Sequence, residues 1–456
     1  VCAKHQPSMS GHSTAGASLP AAVPAPRGAG VCLVTMLVIS VAATFWSALS
    51  SLMAPVLAWV ALAMLWTRVG RQQRWQTVAF VAAGAAMVLW ALGQGVPLEP
   101  ERILGQNQPI LSMLAGITLL RLLNTPLSDD EPELPRGFGT YLQSLFGVHL
   151  FGAVINISAV ILMADRLSRE APLRLNQAEL LSRSFTAVAF YSPFIGGVAL
   201  ALAYTPGSNP LLLLAFGGPV AMAALILLVW YGRSGRVDDI ENFRGYPVHF
   251  ESLWLPLVLG TAVLTAYATT TGYTVLTLIT VLAPLVGGGA LLLRGGVRGT
   301  REALGEYVSV RLPQMGGELA LFLGAGVLGA GLVSVFASTG GWVPFDRIDA
   351  WNGSLVLVGC ILTSLACIHP IVLLSVLVPL LPAIEHDPSF VAVMFAMAWG
   401  LGCAVNPMSG INLVLSSRYG ANNWTLGRAN LPFTLTLLPV AAALLYVYEW
   451  LFGLPG

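Results

Sequence analysis

Charge is what this 456-residue chain has least of: Asp, Glu, Lys and Arg make up 9% of it, against 56% hydrophobic residues. A soluble domain carries roughly 25% charged residues, so a surface this depleted must face lipid. Lysine is nearly absent, Lys4 being the sole one; every other basic side chain is Arg. Neither sign is in excess, with 22 basic and 21 acidic residues, which excludes a strongly basic nucleic-acid binder on electrostatic grounds. Cysteine is sparse. Cys2, Cys32, Cys360, Cys367 and Cys403 form no CxxC pair, and three of them lie in apolar stretches, where a thiol acts as a small hydrophobe. Neither a disulfide framework nor a structural zinc is expected. Enzyme signatures are missing as well: there is no HExxH, no GxSxG and no GxxxxGK[ST]. Without a P-loop, ATP-driven transport by this chain alone is not expected. No cofactor is expected beyond a coupling Na+ or H+.

What the chain has is long apolar runs. Residues 1–30, rich in Ala, Pro, Ser and Gly, read as a disordered tail. Met9 is the first methionine, so Val1–Ser8 read as lying upstream of a start. The apolar run after Gly30 reads as a first spanning helix, not a cleaved signal. A helix needs about 20 apolar residues to cross the hydrocarbon core. Candidates are 31–48, 51–67, 75–93, 105–121, 184–204, 210–231, 252–270, 274–293, 314–338, 389–405 and 432–452. Two further stretches, 140–165 and 353–384, are interrupted by Asn156-Ile157-Ser158 and by His369-Pro370. Each is either a kinked helix or a re-entrant hairpin. The hairpin is the favoured reading, because interrupted segments in matching positions of two halves point to a transporter site.

Arginine placement orients the chain. The clusters Arg68/Arg71/Arg74, Arg166/Arg169/Arg174/Arg183, Arg233/Arg236/Arg244 and Arg294/Arg298/Arg301/Arg311 go to the cytoplasm. The first hairpin then enters from the cytoplasm and the second from outside, where Asp346, Asp349, Asn352, Glu385 and Asp387 flank it. The N-terminus is cytoplasmic and the C-terminus outside. Opposite entry is what an inverted repeat produces. Repeat one covers 105–231 and repeat two 314–452, with 31–93 and 252–293 left as scaffold. Ser184–Val188 lines up with Ser389–Val393, and Pro219-Val220-Ala221 with Pro439-Val440-Ala441. The expected fold class is therefore all-α: a polytopic membrane protein of about eleven transmembrane helices with two re-entrant hairpins.

The polar breaks are the candidate site. Asn156 and Ser158 sit at the first tip and His369 at the second. Thr205, Ser208 and Asn209 end one helix; Asn406, Ser409 and Asn412 end its counterpart. A helix broken in the membrane frees backbone groups that cost several kcal/mol each unless satisfied. A substrate and its ions can satisfy them, with half-helix N-termini facing an anion. Taken singly, each Ser or Thr is better read as helix-to-helix glue; the set of matched breaks favours a site. His369 either carries a proton or donates to an anionic substrate, or it is a neutral partner of the carbonyl freed by Pro370. His149 is a second, weaker candidate of the same kind. Asp165 and Arg166 read as an interfacial pair, and Asp129–Glu133 as a solvated loop.

This plan resembles the ion transporter superfamily, which includes the divalent anion:sodium symporters and arsenite-efflux-type permeases. The resemblance covers roughly residues 75–452 and is architectural. The symporters' Ser-Asn-Thr tip motif is not intact: the first tip reads Ile155-Asn156-Ile157-Ser158, with Asn156 standing for the family's Asn, and the second Ile368-His369-Pro370-Ile371. The resemblance implies a homodimer built on the scaffold helices. Sequence and resemblance together predict a secondary transporter of a small anionic solute, an organic acid or oxyanion. It would use a Na+ or H+ gradient, elevator-like alternating access and a bacterial inner membrane. The alternative from another class is a membrane-embedded glycan or lipid-linked transferase or polymerase. Such an enzyme needs a larger polar loop than 94–104 or 339–352 offers. A passive channel ranks last, since it needs no inverted breaks.

Overall fold

The computed structural model describes residues 26–46, 52–123, 134–169, 171–245, 254–339 and 343–453. Most of the 1–30 tail, the 129–133 acidic stretch and residues 340–342 lie outside the described residues. The described chain is helical throughout. It contains two isolated β-bridges, Arg136 to Arg244 and Arg347 to Glu385. Helices dominate because a helix satisfies its own backbone groups within one continuous apolar run, as lipid contact requires.

The order is α1 (Arg27–Phe45), α2 (Met53–Leu65), α3 (Arg71–Gly93), α4 (Pro100–Gly105), α5 (Gln108–Thr118), α6 (Phe138–Ile155), α7 (Ser158–Leu167), α8 (Leu175–Val188) and α9 (Gly196–Tyr204). Next come α10 (Pro210–Arg233), α11 (Trp254–Thr269), α12 (Val275–Glu306), α13 (Gly316–Ser338), α14 (Ala350–Leu365), α15 (Pro370–Leu377), α16 (Pro388–Val405), α17 (Gly410–Tyr419) and α18 (Asn423–Phe452). Helix α1 begins at Arg27, inside the stretch expected to be a tail. Helix α12 runs past 293 and turns at Gly296, whose φ of 59° suits a residue without Cβ.

One expectation about a span needs correction. The run 184–204 is not one helix: α8 ends at Val188, and α9 restarts at Gly196 after a break containing Tyr191-Ser192-Pro193. Pro193 lacks the N–H that a continuing helix needs. The segment 140–165 is two helices, α6 and α7, that pack against each other across a break at Asn156. Asn156 has φ 57°, one of the few non-glycine residues in the left-handed region.

The segment 353–384 is also a folded-back pair. Ile348 N donates to Glu385 O at 2.9 Å and Glu385 N to Asp346 O at 3.0 Å. The chain therefore enters α14 and leaves the turn after α15 at the same place. Each half thus runs helix, folded-back pair, broken helix, long helix: α5, α6–α7, α8–α9, α10, then α13, α14–α15, α16–α17, α18.

Burial separates centre from rim. An 18-residue apolar window of Pro388–Tyr419 is 94% buried, whereas that of Arg71–Gly93 is 22% buried and equally helical. Apolar side chains such as Leu89, Leu293 and Trp450 face outward, as lipid contact requires. Helix α3 lies closely on α13: a Cβ on Gly84 would stand 2.4 Å from Val327 O, and one on Gly331 2.6 Å from Gly84 O. Small residues allow this approach, the usual basis of helix packing in membranes.

Candidate functional site

The structure re-registers the two halves. Helix α9 ends at Tyr204 and α17 at Tyr419. The next helix starts at a capping Asn in each case: Asn209 Oδ1 accepts from Leu211 N, and Asn422 Oδ1 from Thr425 N, both at 2.9 Å. Thr205–Asn209 therefore corresponds to the segment after Tyr419, not to Asn406–Asn412. The counterpart of Asn406–Ser409 is the break before Gly196. The pairing of Ser184–Val188 with Ser389–Val393 is likewise out of register, since α8 ends at Val188 where α16 ends at Val405. Apolar sequence offers many equally good alignments, whereas the breaks are unambiguous. Asn209 is exposed, and Thr205 lines a different hollow with Tyr204, Gln106 and His386. Thr205, Ser208 and Asn209 do not meet the other predicted site residues.

The tips also realign. Asn156 closes α6 with φ 57° and Cys367 comes after α14 with φ 65°. Asn156-Ile157-Ser158 therefore matches Cys367-Ile368-His369, and His369 stands opposite Ser158, not Asn156. His369 caps α15, its Nδ1 accepting from Ile371 N at 3.2 Å. That role leaves Nε2 as the ring's remaining donor. Trp399 lies edge to face with the ring, centroids 5.1 Å apart.

Each tip is tied to the broken helix of its own half by an asparagine. Asn156 Nδ2 donates to Phe194 O at 3.3 Å and its Oδ1 accepts from Ile157 N at 2.7 Å. In the second half, Asn406 on the broken helix reaches the tip: its Nδ2 donates to Ile368 O at 2.9 Å and its Oδ1 accepts from Met408 N at 2.7 Å. An amide suits this position because one side chain satisfies both a freed carbonyl and a freed N–H.

Between the tips lies a cavity of about 130 Å³. Its lining includes Asn156, Ser158, His369 and Ser409 among the predicted residues, and also Arg121, Thr186, Glu318 and Trp399. Four half-helices begin on it: α7 at Ser158, α9 at Gly196 and Gly197, α15 behind its cap His369, and α17 at Gly410 and Ile411. Helices α7 and α9 have no side-chain cap on their first N–H groups. Arg121 Nε and Ser158 Oγ are buried without a hydrogen-bond partner.

Asn406 and Asn412 stay out of the lining and hold the break together. Asn412 Nδ2 donates to Ala404 O at 3.2 Å and Asn406 O at 2.9 Å, while its Oδ1 accepts from Ser182 Oγ at 2.9 Å. Asn430, which the sequence did not single out, donates to Ala404 O at 2.9 Å and accepts from Arg183 Nε at 2.9 Å. Arg183 belongs to one of the arginine clusters assigned to the cytoplasm. It is buried, with Glu179 at 3.0 Å and the rings of Tyr231 and Phe433 beside it. His149 is occupied on both nitrogens, by Ser184 O at 3.2 Å and Tyr191 OH at 3.1 Å, and does not line the cavity. Asp165 accepts from Tyr419 OH at 2.6 Å, joining α7 to α17. Arg121 and Glu318 are not apparent from sequence because each sits at the edge of an apolar run, where a lone charge reads as a span end.

The sequence matches no protein-family model and no curated protein. Among solved structures the chain is similar to the Alcanivorax borkumensis YdaH transporter, at TM-score 0.46 and 14% identity over 82% of this chain and 98% of that one. It is also similar to Neisseria gonorrhoeae MtrF, described within a class of antimetabolite efflux pumps, at TM-score 0.44 and 14% identity over 83% and 96%.

Proposed function

We propose that this chain is a multi-pass membrane protein and a secondary transporter of a small anion, driven by a Na+ or H+ gradient. The observation that carries the reading is the convergence of four half-helix N-termini on one cavity. Each such end presents partial positive charge, and opposed ends in a bundle interior form an anion site. A bundle held together by packing alone has no need of breaks here, since each break frees backbone groups at a cost of several kcal/mol.

In this reading the folded-back pairs α6–α7 and α14–α15 are re-entrant and enter from opposite faces, and the two halves are inverted. The asparagine braces at Phe194 and Ile368 make each tip move with its own broken helix. That coupling fits rigid-body carriage of the cavity across the membrane.

The test is uptake of labelled organic anions and oxyanions by proteoliposomes under imposed Na+ or pH gradients. Gradient-dependent accumulation supports the reading; downhill leak alone, or no flux for any anion, refutes it. Re-entry is tested separately by maleimide labelling of single cysteines at Arg136 and Arg169, and at Arg347 and Glu385. Each pair labels from one side, the two pairs from opposite sides. A pair split across the membrane would make its segment a span.

A further inference from the structure

Few groups set the charge of the cavity. Among its lining side chains Arg121 is the guanidinium, Glu318 the carboxylate and His369 the imidazole, while Trp399, Phe322, Phe185 and several aliphatic residues form apolar walls. Arg121 and Glu318 lie near enough for each charge to act on the other, and Arg311 and Arg418 add positive potential at Arg121. Arg121 Nε and Ser158 Oγ face no protein acceptor, and Ser158 is 6% exposed. A buried donor left unpaired is costly, and an anion reached by a small shift of these two lining side chains would remove that cost.

We propose that the cavity takes a monocarboxylate with an apolar body, its carboxylate received by Arg121 and Ser158. This rests on the transporter reading of the same cavity and narrows its substrate class. One guanidinium receives one carboxylate. The second carboxylate of a dicarboxylate would meet apolar wall or the carboxylate of Glu318, and burying an unpaired charge is strongly unfavourable. A compact inorganic oxyanion would fill the polar end and leave the aromatic walls in contact with water, forgoing the gain from apolar burial. Glu318 competes with the ligand for Arg121. With both charged the empty cavity is neutral, so a bound monoanion needs one monovalent cation, a proton on Glu318 or a Na+ ion, to remain so.

Isothermal titration calorimetry on the purified full-length chain, with sodium benzoate, hexanoate, succinate and phosphate as probes, tests this. Benzoate and hexanoate should bind at least tenfold more tightly than succinate or phosphate. Arg121→Gln should weaken benzoate binding tenfold or more, Arg121→Lys should recover part of the loss, and Glu318→Gln should tighten binding. Should Arg121→Gln fail to fold, Ser158→Ala gives the same reading through a several-fold loss. Equal or tighter binding of succinate or phosphate overturns the proposal. So does benzoate binding indifferent to Arg121 and Ser158, or no benzoate or hexanoate binding to a monodisperse wild-type protein. Proteoliposome flux separates the two claims. Arg121-dependent benzoate binding without gradient-driven uptake leaves this inference standing and removes the transporter. Gradient-driven succinate uptake that benzoate fails to inhibit does the reverse.

Discussion

Gly197→Ala perturbs the cavity at one defined point. A Cβ there would lie 2.0, 2.1 and 2.3 Å from Cδ2, Cε2 and Cγ of Trp399. Carbon atoms in contact sit about 3.5–4.0 Å apart, so the indole must retreat by roughly 1.5 Å. It has little room. Phe322 stacks on it at 6.5 Å between centroids, and His369 meets it edge to face at 5.1 Å. Overpacking of this kind costs about 1–3 kcal/mol, a factor of roughly 5 to 150 at 1.4 kcal/mol per tenfold. The expected result is a lower thermal midpoint in detergent and a loss of substrate affinity within that range. Gly410→Ala is the matched control: Gly410 also lines the cavity at a half-helix start, yet a Cβ there meets nothing within 4 Å. It should leave stability close to wild type. Equal stability and flux for Gly197→Ala and wild type would refute the packing of Trp399 on α9.

The same geometry sets three further outcomes. Asn430→Leu removes the acceptor of Arg183 Nε and a donor to Ala404 O; one N–H of a buried charge and one buried carbonyl lose a partner, and thermal unfolding should show a loss of about 2 kcal/mol. At Asn156 the ranking is diagnostic: Asn156→Gly keeps the φ of 57° and loses the brace to Phe194 O, whereas Asn156→Ala loses both. Alanine should therefore be the less stable by about 1 kcal/mol, and an inverted order by thermal shift would argue against the left-handed turn. His369→Asn should keep the α15 cap, because an amide oxygen can accept from Ile371 N, while His369→Ala should cost about 1 kcal/mol; equal midpoints for the two variants would deny His369 its capping role.

Composition by itself determined the solvent of this protein. With 9% charged residues the chain is placed in lipid, and apolar runs of about 20 residues in turn call for helices. Interruption by residues such as Asn156 and His369 was also legible, because a polar group costs too much inside an apolar run to stand there idly. The register of the two halves was not. Sequences built from Ala, Val and Leu align with one another at many offsets, so Thr205–Asn209 was matched to the wrong break. Only the paired endings at Tyr204 and Tyr419, with Asn209 capping α10 and Asn422 capping α18, fix the offset. The site's charges were hidden for a related reason. Arg121 and Glu318 look alike in sequence, single charges beside apolar runs. Arg183 has its carboxylate partner one turn away on its own helix, Glu179, and tertiary packing adds the Asn430 acceptor from α18; Arg121 and Glu318, from helices far apart in sequence, are brought together on one cavity only by that packing. The surroundings of Arg121 and Glu318 are set by helices distant in sequence, and no local pattern records them.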